Sequence, residues 1–212
     1  MIPVERFLSH VFPATPTCPR QVMLSAIAEA AHIFCDDTLL VQYISSPQPV
    51  VTGQSEYQVF DSSCAGENMM LSRVLWVTLD GQDLVPRTKG AIPLSSAQVS
   101  SCGGMDFIVS ENGVITFLSA PTQDTPDLIA CMAITPKLSA VEVPDILLDR
   151  YRAAVTTKAK ALLQGFDAEW TKPGMQDKYE AEYLDRLREA RNEFWDSFSI
   201  AEHTLRPGRH FL

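Results

Sequence analysis

The chain has 212 residues, 46% hydrophobic and 20% charged, with a formal charge of −9 at pH 7. A chain of this length buries roughly 70% of its unfolded surface, so it needs no disulfide or metal staple and is not generally disordered. The acid excess excludes a protein that wraps nucleic acid, since phosphate binding needs clustered Lys and Arg, but it allows DNA to pass along a repelling wall.

Pro3 to Phe12 predicts a short helix with Val4, Phe7, Leu8 and Val11 on one side. Pro13 to Pro19 is a rigid connector, and Pro19 suits the first turn of the next helix, where its missing N–H costs nothing. From Arg20 to Asp37, Met23, Ile27, Ala30 and Phe34 recur at the spacing of an amphipathic helix. The alanines there allow a second helix to approach closely. From Leu39 to Lys137 the pattern turns to short alternating runs broken by Pro, Gly and Ser. Leu71 to Leu79 is a long strand candidate, followed by the turn signal Asp80-Gly81. Phe107 to Phe117 is the clearest hairpin, because Asn112-Gly113 fits a type I′ turn. Leu128, Ala130, Met132 and Ile134 alternate as a final strand.

Helical signals return at Pro144, with Leu147, Tyr151, Ala154, Ala161 and Leu162 as a buried stripe and Gly165 as a stop. The corner Phe166 to Gly174 carries Trp170 and Pro173. The last helix is expected from about Met175 to Ala201, roughly 40 Å at 1.5 Å per residue. Tyr179, Tyr183, Leu187, Ala190, Phe194 and Phe198 hold a helical spacing on it. The end, 203–212, is basic and acid-free, finishes on Phe211-Leu212 and predicts an extended tail. The fold class expected is α+β. N- and C-terminal helices (1–42 and 140–202) would form a helical bundle with an inserted antiparallel β sandwich or open barrel (43–139).

No constellation points to catalysis, a cofactor or a metal. The five cysteines, Cys18, Cys35, Cys64, Cys102 and Cys131, include no C-x-x-C, and free, buried thiols in a reducing cytoplasm are expected. Cys102 in its Gly-rich turn has no histidine within 60 residues to activate it. His32 sits among apolar neighbours, as a packed histidine would. Asp36-Asp37 could hold a cation or simply end a helix. No Walker A loop, G-x-G-x-x-G or nucleophile elbow is present. Pro3, Glu5 and Arg6 stand where a signal peptide would need apolar residues, and no run reaches the roughly 20 apolar residues of a membrane span. The acidic residues of the last helix form a solvated face, an acidic channel wall or a site for a basic partner. The tail, with Arg206, Arg209, Phe211 and Leu212, is either slack or a docking segment.

Three stretches carry a family resemblance. The first is Cys18-Pro19 with Ala28, Ala30-Ala31, Phe34-Cys35 and Thr38. The second is Val51-Thr-Gly-Gln-Ser-Glu-Tyr57. The third runs from Ile134-Thr-Pro-Lys through Val143-Pro-Asp-Ile-Leu and Tyr151 to Leu163, Trp170 and the Arg/Glu/Ala-rich helix. In this order they resemble the head-to-tail adaptor, or neck, proteins of tailed bacteriophages, short-tailed ones especially. Residues 62–70 and 86–103 depart from that pattern. The resemblance implies a non-enzymatic virion protein assembled in the host cytoplasm. It implies a homo-oligomeric ring, commonly of twelve copies, beneath the portal protein. Tail nozzle or tail fibre proteins would attach below, and double-stranded DNA would pass through the lumen during genome ejection without sequence-specific binding. Ala30, Phe34, Tyr179, Tyr183, Leu187 and Phe194 are then ring-packing candidates, and Arg206, Arg209, Phe211 and Leu212 portal-docking candidates. Two other classes remain open: a binding module of the virion or for the host, and an enzyme with a split site using Cys102 or Asp36.

Overall fold

The computed structural model describes residues 1–84, 107–110 and 112–205, with side chains except at 62, 64 and 194–205. It divides into two units, Met1–Leu40 with Pro136–Leu212, and Val41–Thr135.

In the first unit, β1 (Ile2–Pro3) pairs antiparallel with β10 (Glu142–Val143). A 3-10 turn over Val4–Phe7 leads into α1 (Leu8–Val11), and Val4, Phe7 and Val11 are buried. The helix α2 (Arg20–Thr38) begins just after Pro19, whose carbonyl accepts from the Val22 and Met23 amides. The helical spacing buries Met23, Ile27, Ala30, Ala31 and Phe34 along one face. Leu39 ends the helix in the left-handed region at φ 55°, its amide donating to the Cys35 carbonyl. The single helix expected after Pro144 is two, α4 (Asp145–Asp149) and α5 (Arg152–Gln164), broken at Arg150-Tyr151. Tyr151 sits in that break with its ring centroid 5.3 Å from that of Phe34. Leu163, not Leu162, is the fully buried leucine near the end of α5.

The corner after α5 is held by one buried amide. Gln164 Oε1 accepts from the Lys172 amide (2.7 Å), and its Nε2 donates to the Trp170 carbonyl (3.3 Å). The Trp170 indole N–H donates back to the Leu163 carbonyl at 3.2 Å. The chain then enters α6 (Met175–Leu205), 31 residues long. Burial of Tyr183, Leu187 and Ala190 gives it one apolar stripe, and α5 lies against both α2 and α6.

In the second unit, β2 (Gln42–Ile44), β9 (Thr125–Pro136), β5 (Met69–Leu79) and β6 (Gln82–Leu84) lie in that order, and β3 (Gln48–Val50) also pairs with β9. A second sheet has the order β4 (Glu56–Gln58), β8 (Val114–Phe117), β7 (Phe107–Val109). Both contribute to one core that includes Val50, Tyr57, Met69, Val77, Phe107, Ile115, Phe117, Leu128 and Met132. Asp80-Gly81 makes the tight turn its sequence suggests, with φ 52° and 73° and Leu79 paired to Gln82, as type I′ requires. Asn112-Gly113 does not. Only Gly113 has positive φ (74°), its amide donates to the Ser110 carbonyl, and the Ser110 amide donates to the Val114 carbonyl. The loop is therefore three residues, 111–113, ending in a left-handed glycine.

The expected α+β arrangement, a helical bundle with an inserted antiparallel β sandwich or open barrel, is corrected here. The described residues form a mixed structure with three antiparallel sheets and no closed barrel. Two physical reasons account for this. Only β5 and β9, of 11 and 12 residues, are long, and the described strands beside them have two to four, too little ladder to close a barrel. The two element types are also not segregated: the pair β1–β10 belongs to the helical unit, and a helical turn, α3 (Ser62–Ala65), to the strand unit.

Two substitutions test this account. At Gly113 an added Cβ would fall 2.3 Å from the Phe60 Cβ. Gly113→Ala should therefore destabilise the strand unit by about 2–4 kcal/mol, combining left-handed strain with overpacking; thermal unfolding unchanged from the parent would contradict it. Gln164→Leu leaves the Lys172 amide and Trp170 carbonyl unpaired and should cost about 1–3 kcal/mol. It should also accelerate amide hydrogen exchange at Thr171 and Lys172; unaltered protection there would show that the amide clasp is dispensable.

Candidate functional site

The densest polar constellation in the helical unit lies where α2 ends. The last helical carbonyls have no partner within the helix, and the dipole makes this end negative. Asp36 and Asp37 add charge of the same sign. The Arg191 Nε–H, from α6, donates to the Asp37 carbonyl at 2.9 Å, and its guanidinium lies 3.4 Å from the Asp37 carboxylate. Tyr183, also on α6 and 1% exposed, donates its hydroxyl to Asp37 Oδ2 at 2.9 Å. From α5, the Lys158 ammonium lies 4.8 Å from the Tyr183 ring centroid and pairs with Glu180 at 2.6 Å. Farther along α6, Glu193 pairs with Arg150 and accepts the Tyr151 hydroxyl proton at 3.1 Å. Burial first, then the Asp37 charge, pushes the Tyr183 pKa far above the ordinary tyrosine range. This constellation joins three helices.

Of the ring-packing candidates, Ala30, Phe34, Tyr183 and Leu187 are buried inside the unit. Tyr179 is half-buried, with the Lys160 ammonium 5.9 Å from its ring centroid. The Phe194 side chain, and the portal-docking candidates Arg206, Arg209, Phe211 and Leu212, lie outside what is described, as does Cys102. The His32 Nδ1–H donates to the Pro136 carbonyl at 2.8 Å. Cys18, Cys35 and Cys131 are free and buried. Burial, with the Asp36 charge, pushes the Cys35 thiol up to about 12, so it stays protonated at neutral pH. Among the described residues no group of three His, Cys, Asp or Glu could hold a metal ion.

Four of the six acids of α6 whose side chains are described have a basic partner. Glu180 pairs with Lys158, Glu182 with Arg186, Asp185 with Arg188 and Glu193 with Arg150. That face is a mixed-charge surface, not a bare acidic wall. The stretch Val51–Tyr57 forms a clasped turn. The Tyr57 hydroxyl, on a buried ring, accepts from the Val51 amide at 2.9 Å and lies 3.1 Å from the Gln54 carbonyl. Asp124 Oδ1 accepts from the Thr52 amide and hydroxyl, both at 2.7 Å, and these bonds hold its carboxyl below the usual range.

A cleft of about 480 Å³ opens beside the first half of α2, between the β1 end and the turn 138–142. Its walls include Val4, Leu24, Ala28, Leu138 and Val141, with Glu5 and Glu142 among the lining residues. Leu138 and Val141 are 60% and 69% exposed, above every other large apolar side chain among the described residues. Sequence periodicity passes over both because they sit in a turn. The cleft brings together apolar side chains and two carboxylates.

Among the described residues no helix is long and apolar enough to cross a membrane. No family model matches the chain, and no curated protein matches it.

The Tyr183 contact gives a signed pH dependence. Above about pH 10 the unfolded chain releases its tyrosine protons, while the folded chain keeps that of Tyr183. The unfolded state then binds fewer protons, so stability is fully present below that pH and falls as pH rises through it. Tyr183→Phe should cost about 1–3 kcal/mol at neutral pH, the worth of a hydrogen bond to a charged acceptor, and should flatten the alkaline decline. Urea unfolding between about pH 8 and 11 reads both; parallel alkaline slopes for parent and variant would refute the assignment.

Proposed function

We propose that the chain is a structural subunit of the head-to-tail adaptor type. Copies would form a ring beneath a portal, commonly twelve, carry tail nozzle or fibre proteins below and leave a passage for double-stranded DNA. The observation that carries this reading is the junction at Asp37, where a helix from the first fifth of the chain is locked by Tyr183 and Arg191 near its far end. An inserted unit between such ends gives one subunit two differently built parts. A closed ring needs two different faces per subunit, and a stacked connector needs contacts above and below. The sequence resemblance in Cys18–Thr38, Val51–Tyr57 and Ile134–Trp170 points the same way. The matched charges on α6 suit a surface that meets water, ions or a neighbour without holding phosphate. Permanent ring interfaces of this kind bury upwards of about 2,000 Å².

The test is assembly. The purified chain should form rings on the portal protein of the same virion, seen by negative-stain electron microscopy and by a stoichiometric mass shift. A folded chain that never associates with that portal at micromolar concentration would sink the reading. A monomer in isolation would not, because assembly can wait for the portal.

A further inference from the structure

The cleft beside α2 has a charge bias. Its rim is acidic: Glu142 is half-buried and makes no ion pair or hydrogen bond among the described residues, while Glu5 pairs with the exposed Arg20 at 2.7 Å. The cleft thus sets an unmatched negative charge beside exposed Leu138 and Val141. A suitable ligand is therefore basic, apolar at one end and thin enough for a cleft of about 480 Å³. The chain contains such a segment. Residues 203–212, His-Thr-Leu-Arg-Pro-Gly-Arg-His-Phe-Leu, of which the first three continue α6 and only 206–212 lie beyond it, have no acid, two arginines and two terminal apolar side chains. In a protein of net charge −9, copies repel one another except where such a segment meets such a rim.

We propose that the cleft receives segment 203–212 of a second copy of this chain, with Arg206 or Arg209 at Glu142 and Phe211 or Leu212 against Leu138 and Val141. The contact is heterologous, cleft on one copy and tail on the next, and so propagates around a closed or open array. It stands apart from the adaptor reading and would give the tail a partner other than the portal.

A fluorescein-labelled peptide of residues 203–212, titrated with the whole 212-residue chain in fluorescence anisotropy, tests it. Saturable binding is expected, weakening as salt rises. Glu142→Lys should weaken it about tenfold or more, and a peptide carrying Arg206→Glu and Arg209→Glu should regain affinity for that variant. Leu138→Ser with Val141→Ser should weaken it similarly; both positions are exposed, so circular dichroism should show an unchanged fold. The whole chain should self-associate in sedimentation, and deletion of 203–212 should abolish this. A scrambled peptide that binds equally, binding indifferent to both cleft variants, or no saturable binding overturns the proposal. So does a whole chain that stays monomeric well above the peptide Kd, since its tail would then fill its own cleft. Rings on the portal with no peptide binding would retain the adaptor reading and reject this one.

Discussion

The end of α2 is the point on which the helical unit depends. Two consecutive aspartates at a helix C-terminus oppose the dipole, and the carbonyls there need donors. From α6, Arg191 donates to the Asp37 carbonyl and Tyr183 to the Asp37 carboxylate, and Lys158 on α5 lies against the Tyr183 ring. Removing any one partner would leave a charge or a buried hydroxyl uncompensated, which costs more than the bond itself contributes. The apolar stripes of α2, α5 and α6 provide the bulk of the burial, but such stripes slide easily. The polar lock fixes how far along one helix another must sit.

Periodicity made the regular parts legible. Met23, Ile27, Ala30 and Phe34 announce α2, and Tyr183, Leu187 and Ala190 announce the buried side of α6, because a helix that faces a core must repeat near 3.6 residues. Asp80-Gly81 was readable because both residues tolerate positive φ. The failures have equally local causes. Asn112-Gly113 carries the same signature, yet the pairing of Ser110 with Val114 leaves three residues to close the loop, and register depends on partners far away in sequence. The break at Arg150-Tyr151 is set by where the Tyr151 ring meets Phe34 and its hydroxyl meets Glu193, contacts no local pattern reports. Sheet membership was the least legible. Alternation says that a strand has two faces and nothing about which strand lies beside it.

The candidate surfaces show the same division. The stretch Val51–Tyr57, singled out for its family likeness, resolves into a Tyr-clasped turn tied to Asp124, so its residue types are explained by backbone hydrogen bonding. The acid-rich α6 left a solvated face, a channel wall and a partner site all open, because composition counts carboxylates without their partners; Lys158 and Arg150 lie elsewhere in the chain. The cleft was invisible because Leu138 and Val141 have no period to belong to, and their meaning lies in being left uncovered.

The wide separation of the locked partners has a consequence for biosynthesis. Asp37 and Tyr183 are 146 residues apart. At roughly 5–20 residues per second a ribosome takes on the order of ten to thirty seconds to bring the second after the first. For most of that interval Ala30, Ala31 and Phe34 are out while α5, which lies against α2, has yet to be made, and the inserted strands can already pair. The nascent polypeptide thus presents a sticky amphipathic rod that invites chaperone capture, and its lock is not closed until α6 has been made.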